Sequence, residues 1–136
     1  MGPPGVGKGT QAKKLKQYFD IYHLSTGKFL RNEINKKTEI GLKSSVFIDK
    51  GELVPDDILL KIVEKYISER EYLNGYIIDG FPRTLPQAEG FNKILIDSGQ
   101  KLDAVVSLYA EEKELVDRLI LRSANSGRSD DNLDII

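Results

Sequence analysis

The sequence has no cysteine, and this one absence removes a disulfide framework, a catalytic thiol and a thiolate zinc site together. It also fits a reducing compartment. Histidine is almost as scarce, and the single His23 is a poor basis for a metal centre. No apolar run approaches the roughly 20 residues needed to cross a bilayer, and no charged-then-apolar segment opens the chain. A cytoplasmic protein is the expectation. Neither sign of charge is in excess: 20 lysines and arginines face 21 acids, a net charge of -1, so bulk attraction to nucleic acid or an anionic membrane is not implied. Any phosphate chemistry must be local. Only 5 prolines occur, and no repeat, low-complexity tract or linker divides the 136 residues, so residues 1–136 read as one soluble domain.

What is present is an alternation of helical patterns and short apolar runs. The spacing of Ala12, Leu15 and Phe19 predicts a helix from about Gly7 to Phe19, followed by an extended piece at Tyr22, His23 and Leu24. Ser25 or Thr26 can cap a helix carrying Phe29, Leu30 and Ile34, and Ile40 to Asp49 reads as another that stops at Gly51. Pro55 suits the first turn of a helix whose apolar face is Ile58, Leu59, Ile62, Val63, Tyr66 and Ile67. Tyr76 to Ile78 reads as a buried strand ending on Asp79. A helix from near Pro86 carries Ala88, Phe91, Ile94 and Leu95 and closes at Gly99, a second strand is expected over Ala104 to Tyr109, and a last helix carries Leu115, Val116, Leu119 and Ile120. This order predicts an α/β fold, a parallel sheet with helices on both faces and ligands at the strands' carboxyl ends.

The chemistry concentrates in a few motifs. Gly2 to Thr10 form a glycine-rich loop running into a helix with Lys8 just inside, a pattern that turns backbone N–H groups and one ammonium towards an oligophosphate. Gly9 separates Lys8 from the hydroxyl of Thr10, where the common pattern places them side by side. Asp79 ends a strand, where such a carboxylate can orient magnesium, although an aspartate before glycine also suits a plain turn. Phe81-Pro82-Arg83 sets a guanidinium beside it. Arg118 and Arg122 share a helix face with Glu114, a spacing that also describes a solvated Glu114–Arg118 pair, and Arg128 follows on a polar segment with Asp130 and Asp131. Arg31 by itself reads as a solvated helical arginine.

Together these segments resemble the adenylate kinase family of nucleoside monophosphate kinases along essentially the whole chain: GPPGVGKGT, LSTGKFLR at 24–31, KGELVPD at 50–56, DGFPRTLPQAE at 79–89 and SGRSDDN at 126–132. The Gly9-Thr10 order is the form that family uses. The resemblance implies a P-loop NTP hydrolase-like fold and reversible transfer of the terminal phosphoryl of ATP-Mg to AMP, giving two ADP. It implies ATP-phosphate contacts from Gly5, Val6, Gly7, Lys8, Gly9 and Thr10, and AMP contacts from Thr26, Arg31, Glu52, Leu53, Val54, Gly80, Phe81, Pro82, Arg83 and Gln87. Arg83 would meet the AMP phosphate and Gln87 the adenine edge. Asp79 would position Mg2+ through water, and Lys8, Arg83, Arg118, Arg122 and Arg128 would surround the transferring group, with Arg122 also on the ATP side and Arg128 on the substrate side. The mobile AMP-binding segment would fall at 25–54 and a short lid, without zinc, at 122–132. A monomer is implied.

Against the family pattern, Met1 stands as the last residue of the strand that feeds the loop, and Asp131 to Ile136 begin a helix that stops early. The expectation is an incomplete fold, with the first strand and the C-terminal part missing, unpaired backbone and exposed apolar surface, and activity belonging to the complete protein. Two alternatives stand beside this one. A UMP/CMP kinase shares the loop, DGFPR and the short lid, but usually has alanine where Thr26 stands and asparagine-rich sequence where Leu85 to Glu89 stand. An inactive nucleotide-binding fragment is the other.

Overall fold

In the computed structural model, which describes residues 1–126, helices and strands follow one another in the order α1 (Lys8–Phe19), β1 (Tyr22–Ser25), α2 (Thr26–Asn35), α3 (Glu39–Asp49), α4 (Asp56–Ile67), β2 (Tyr76–Asp79), α5 (Leu85–Asp97) and α6 (Glu112–Ser126). A 3₁₀ turn over Arg70–Tyr72 precedes β2. The strands pair in parallel with Tyr22 opposite Tyr76 and Ser25 opposite Asp79, so both end at the same edge. This is an α/β fold, as expected. Alternation along the strands sends Leu24 and Ile78 into the core with α4 and α5, while Asp79 on the other face looks towards Gly9 of α1.

Helix α4 forms because its apolar residues recur at helical spacing, with Asp56 and Asp57 in its first turn and Lys65 in its last, the placement that suits the helix dipole. Ile62, Val63 and Ile67 are fully excluded from solvent and Tyr66 nearly so. They meet Leu24, Tyr72, Phe81, Phe91 and Leu95 in one core. Phe29 of α2 stacks on the Tyr66 ring at 3.8 Å, and Phe81 meets Phe91 edge to face at 5.5 Å.

Residues 104–109 correct one expectation. The valine content predicts a strand, but the structure has none there. A strand exists through its pairing, and among the described residues this run makes its backbone hydrogen bonds to one residue: Leu108 N–H donates to the Met1 carbonyl at 2.8 Å, and the Met1 ammonium donates to the Val106 carbonyl. Val105 and Val106 remain more than half exposed.

Helices α2 and α3 form a hairpin organised around Glu33, a carboxylate only 2% exposed. Its oxygens accept from the Thr38 hydroxyl, from the Tyr66 hydroxyl at 2.7 Å and from Lys65 Nζ at 3.0 Å. Thr38 in turn caps α3 by accepting from Gly41 N–H at 3.1 Å. The Thr38 hydrogen bond, supported by those of Tyr66 and Lys65 and opposed by burial, holds the Glu33 carboxyl down at about 2. A depressed carboxyl adds stability above its ordinary value of 4.5, and that stability is lost as the pH falls from about 4.5 to about 2. The contribution is on the order of 3 kcal/mol. Urea unfolding across that window is expected to show a steeper loss of stability for the natural protein than for Glu33→Gln. Parallel curves would contradict the role assigned to this carboxylate.

Candidate functional site

At the edge where β1 and β2 end, the glycine-rich loop enters α1. Gly7 caps that helix in a left-handed conformation with no side-chain hydrogen bond to the first turn, so the loop and the leading N–H groups of α1 remain an uncapped, electropositive end. Gly5, at φ 81°, lies under α6: a Cβ there would stand 3.0 Å from the Leu115 carbonyl oxygen and 3.1 Å from Leu119 Cγ. A side chain at this position would push the loop and α6 apart. Lys8 folds back over the loop, its Nζ donating to the Gly2 and Pro3 carbonyls at 2.9 and 3.0 Å. Burial lowers its ammonium from the usual range, with Asp79 opposing and the positive charges of Arg83 and Arg122 assisting. The cation therefore stands among one carboxylate and two guanidinium groups.

Asp79 faces the first turn of α1, with Oδ2 3.8 Å from where a Cβ on Gly9 would be. The same oxygen lies 3.4 Å from His23 Nε2, both side chains being 15% exposed. The sequence reading set His23 aside. The signal for it was the strand register, since His23 opposite Ile77 puts its side chain on the same face as Asp79, two residues on. Thr26 does not cap α2 through its side chain; its hydroxyl donates instead to the Gly80 carbonyl at 3.3 Å, tying the start of α2 to the end of β2.

Beyond β2 the Phe81–Pro82 peptide is cis, and Phe81 is buried in the core, which anchors the turn that presents Arg83. Arg83 Nε donates to the Gly80 carbonyl at 2.9 Å, and its backbone N–H donates to Gln87 Oε1 at 2.7 Å. Gln87 Nε2 donates to Asp56 Oδ1 at 2.8 Å. Asp56 is a second residue that sequence reasoning missed, because 31 positions separate it from Gln87. Across the loop, Arg118 Nη1 lies 3.4 and 3.5 Å from the Gly5 and Val6 carbonyls while Nη2 pairs with Glu114. The Glu114–Arg118 pair expected from helix spacing is present, and the same guanidinium also lies against the glycine-rich loop. Arg122 is one turn further along α6, close enough to Lys8 to act on its charge.

Other expected residues stand apart from this gathering. Arg31 lies over Gly27 and lines a cavity of about 420 Å3 with Lys28, Phe29, Asn32 and Asn35 on α2. Glu52 and Leu53 are exposed on the segment that follows α3, Leu53 at 92%, and Val54 is half-buried. Arg128, and the part of the 122–132 lid beyond 126, lie outside the described residues.

Comparison with known proteins gives this arrangement its context. The family model for adenylate kinase matches residues 1–136. The chain belongs to the adenylate kinase family. It is similar to the adenylate kinase of Chloroherpeton thalassium, 52% identical over 119 residues, covering 87% of this chain and 55% of that protein. It is 48% identical over 119 residues to that of Carboxydothermus hydrogenoformans, covering 88% of this chain and 56% of that protein. With that of Porphyromonas gingivalis it shares 45% identity over 135 residues, 99% of this chain and 70% of the relative. The chain thus spans little more than half the length of the first two adenylate kinases. Among the described residues, no helix is long and apolar enough to cross a membrane.

Proposed function

We propose that the protein catalyses reversible transfer of the terminal phosphoryl group of ATP-Mg to AMP, giving two ADP, as a cytoplasmic and monomeric enzyme of adenine nucleotide homeostasis. The observation that supports this most is the placement of Lys8, Asp79, Arg83, Arg118 and Arg122 around one uncapped helix N-terminus at the strands' carboxyl ends. Phosphoryl transfer asks a protein mainly for positioning and charge neutralisation, and this set supplies both.

In this reading Gly5 to Thr10 cradle the ATP phosphates. Arg83, Thr26, Arg31 and the segment at Glu52 to Val54 bind AMP, with Gln87 at its base. Arg118, Arg122 and Arg128 offset charge on the group in transit. The acceptor oxygen of AMP attacks the terminal phosphorus of ATP, the bond to the bridging oxygen breaks, and ADP leaves, so no covalent enzyme intermediate is required. Among the described residues, no three histidines, cysteines or carboxylates are grouped to cage a metal. Mg2+ carried by ATP needs only a carboxylate and its own waters, and Asp79, partly exposed and facing the first turn of α1, fits that demand. When bound, the ion neutralises phosphate charge. Closure of 122–132 over ATP and of 25–54 over AMP would exclude water, which otherwise competes as acceptor.

The test is ADP formation from ATP-Mg by the full-length protein with AMP, UMP, CMP or GMP as acceptor. Clear preference for AMP is expected. Preference for UMP or CMP would transfer the reading to a pyrimidine nucleotide kinase, and ATP binding without turnover on any acceptor would make the chain a nucleotide-binding module.

A further inference from the structure

We propose that Asp56 is a specificity-determining positioning residue: together with the Arg83 N–H it locks the Gln87 carboxamide in one orientation, so that the site selects a 6-amino over a 6-oxo purine. The proposal rests on the reading of the protein as an AMP-dependent kinase with Gln87 at the base.

A glutamine amide has an oxygen and a nitrogen of nearly the same shape, and rotating it by half a turn exchanges an acceptor for a donor. A free glutamine can therefore meet either kind of purine edge. Adenine presents a donor, its 6-amino group, beside an acceptor, N1, whereas a 6-oxo purine presents an acceptor beside a donor. In the proposed complex the nucleotide phosphate at Arg83 would fix how the base lies, so a fixed amide would suit one edge only.

Gln87 is held by partners that leave no ambiguity. A backbone N–H only donates, and that of Arg83 meets Oε1 at 2.7 Å. A carboxyl oxygen that already accepts from the Thr84 hydroxyl acts as an acceptor, and this Asp56 Oδ1 meets Nε2 at 2.8 Å. A flipped amide would set N–H against N–H and carbonyl against carboxylate, in a side chain that is 4% exposed and has little water to compensate. Asp56 is itself held, since the Thr84 hydroxyl donates to the same Oδ1 at 3.3 Å while accepting from Gln87 N–H at 3.2 Å. The clamp uses one lone pair of Oε1 and one hydrogen of Nε2. Among the described residues, one acceptor site and one N–H remain, in fixed order, as the complement of an adenine edge.

The experiment compares kcat/KM for AMP and for GMP in the full-length protein, Asp56→Ala and Asp56→Asn. Asp56→Ala is expected to reduce the AMP:GMP ratio about tenfold, through a higher KM for AMP and a lower one for GMP. Asp56→Asn retains an acceptor at Oδ1 and is expected to restore most of the ratio, a rescue that a merely destabilising change would not show. A ratio unchanged in Asp56→Ala, or an equal loss for both nucleotides, overturns the lock while leaving the kinase reading intact. A natural protein that forms no ADP from ATP-Mg and AMP overturns that reading, and the lock with it. If Asp56→Ala does not fold, hydrogen exchange at the Gln87 side-chain amide of the natural protein decides: a protected N–H is expected, and exchange of both hydrogens at the free-amide rate overturns the proposal.

Discussion

Lys8→Met is expected to lower kcat for ADP formation by about 10²–10³-fold while leaving the folded state intact. Methionine keeps the length and the apolar stem of the side chain but removes its charge and its donors. An ammonium has three donors, and two of those on Lys8 already engage the Gly2 and Pro3 carbonyls, so the cation is held in the mouth of the loop before phosphate arrives. It also stands within reach of the charges of Asp79, Arg83 and Arg122, as the proposed role between donor and acceptor phosphates requires. Charge supplied there by a preorganised group costs no rearrangement at the moment of transfer. Lys8→Arg is not expected to rescue activity, because a planar guanidinium cannot reproduce the fit of a compact ammonium between two carbonyls. Retention of kcat within tenfold in Lys8→Met, at unchanged thermal stability, would remove Lys8 from the chemistry.

Gly41→Ala is expected to destabilise the protein by roughly 3–5 kcal/mol. A Cβ on Gly41 would stand 2.0 Å from the Glu33 carbonyl oxygen and 2.7 Å from the Ile34 nitrogen. These are backbone atoms of α2, so no side chain can turn aside, and the α2–α3 hairpin would have to open. Opening it also disturbs the Thr38 cap and the Glu33 carboxylate that ties the hairpin to Tyr66 and Lys65 of α4. An unfolding free energy from urea titration within about 0.5 kcal/mol of the natural protein would show that α2 and α3 are free to separate.

Much of this could be read in the sequence, and what could not shares one physical cause. The helices carry their signals locally: the Ile58 to Ile67 face of α4, the stop at Gly51 and Pro86 in the first turn of α5 each lie within a few residues of what they determine. The glycine-rich loop, Asp79 and Arg83 stand out in the sequence because each lies in a short motif, and the structure brings them to one edge. The family itself was legible in the same motifs. Residues 104–109 misled because valine content reports a preference for extended backbone, while a strand also needs neighbours to pair with. Glu33 sits on an amphipathic helix where an acid suggests solvent, yet partners from α4 bury it. His23 with Asp79, and Asp56 with Gln87, are contacts across 56 and 31 positions, and they appear only once the strands are in register and α4 is laid against α5. Local pattern named the parts. Tertiary contact assigned their partners.

The proposed activity requires that the terminal phosphoryl pass from ATP to AMP within a site that excludes water. A single-turnover reaction of the full-length protein, using ATP labelled in its terminal phosphate with Mg2+ and excess AMP, tests it directly. The label is expected in ADP, with two ADP formed for each ATP consumed and little free phosphate. Label released mainly as inorganic phosphate, or retained in ATP whatever the AMP concentration, would contradict it.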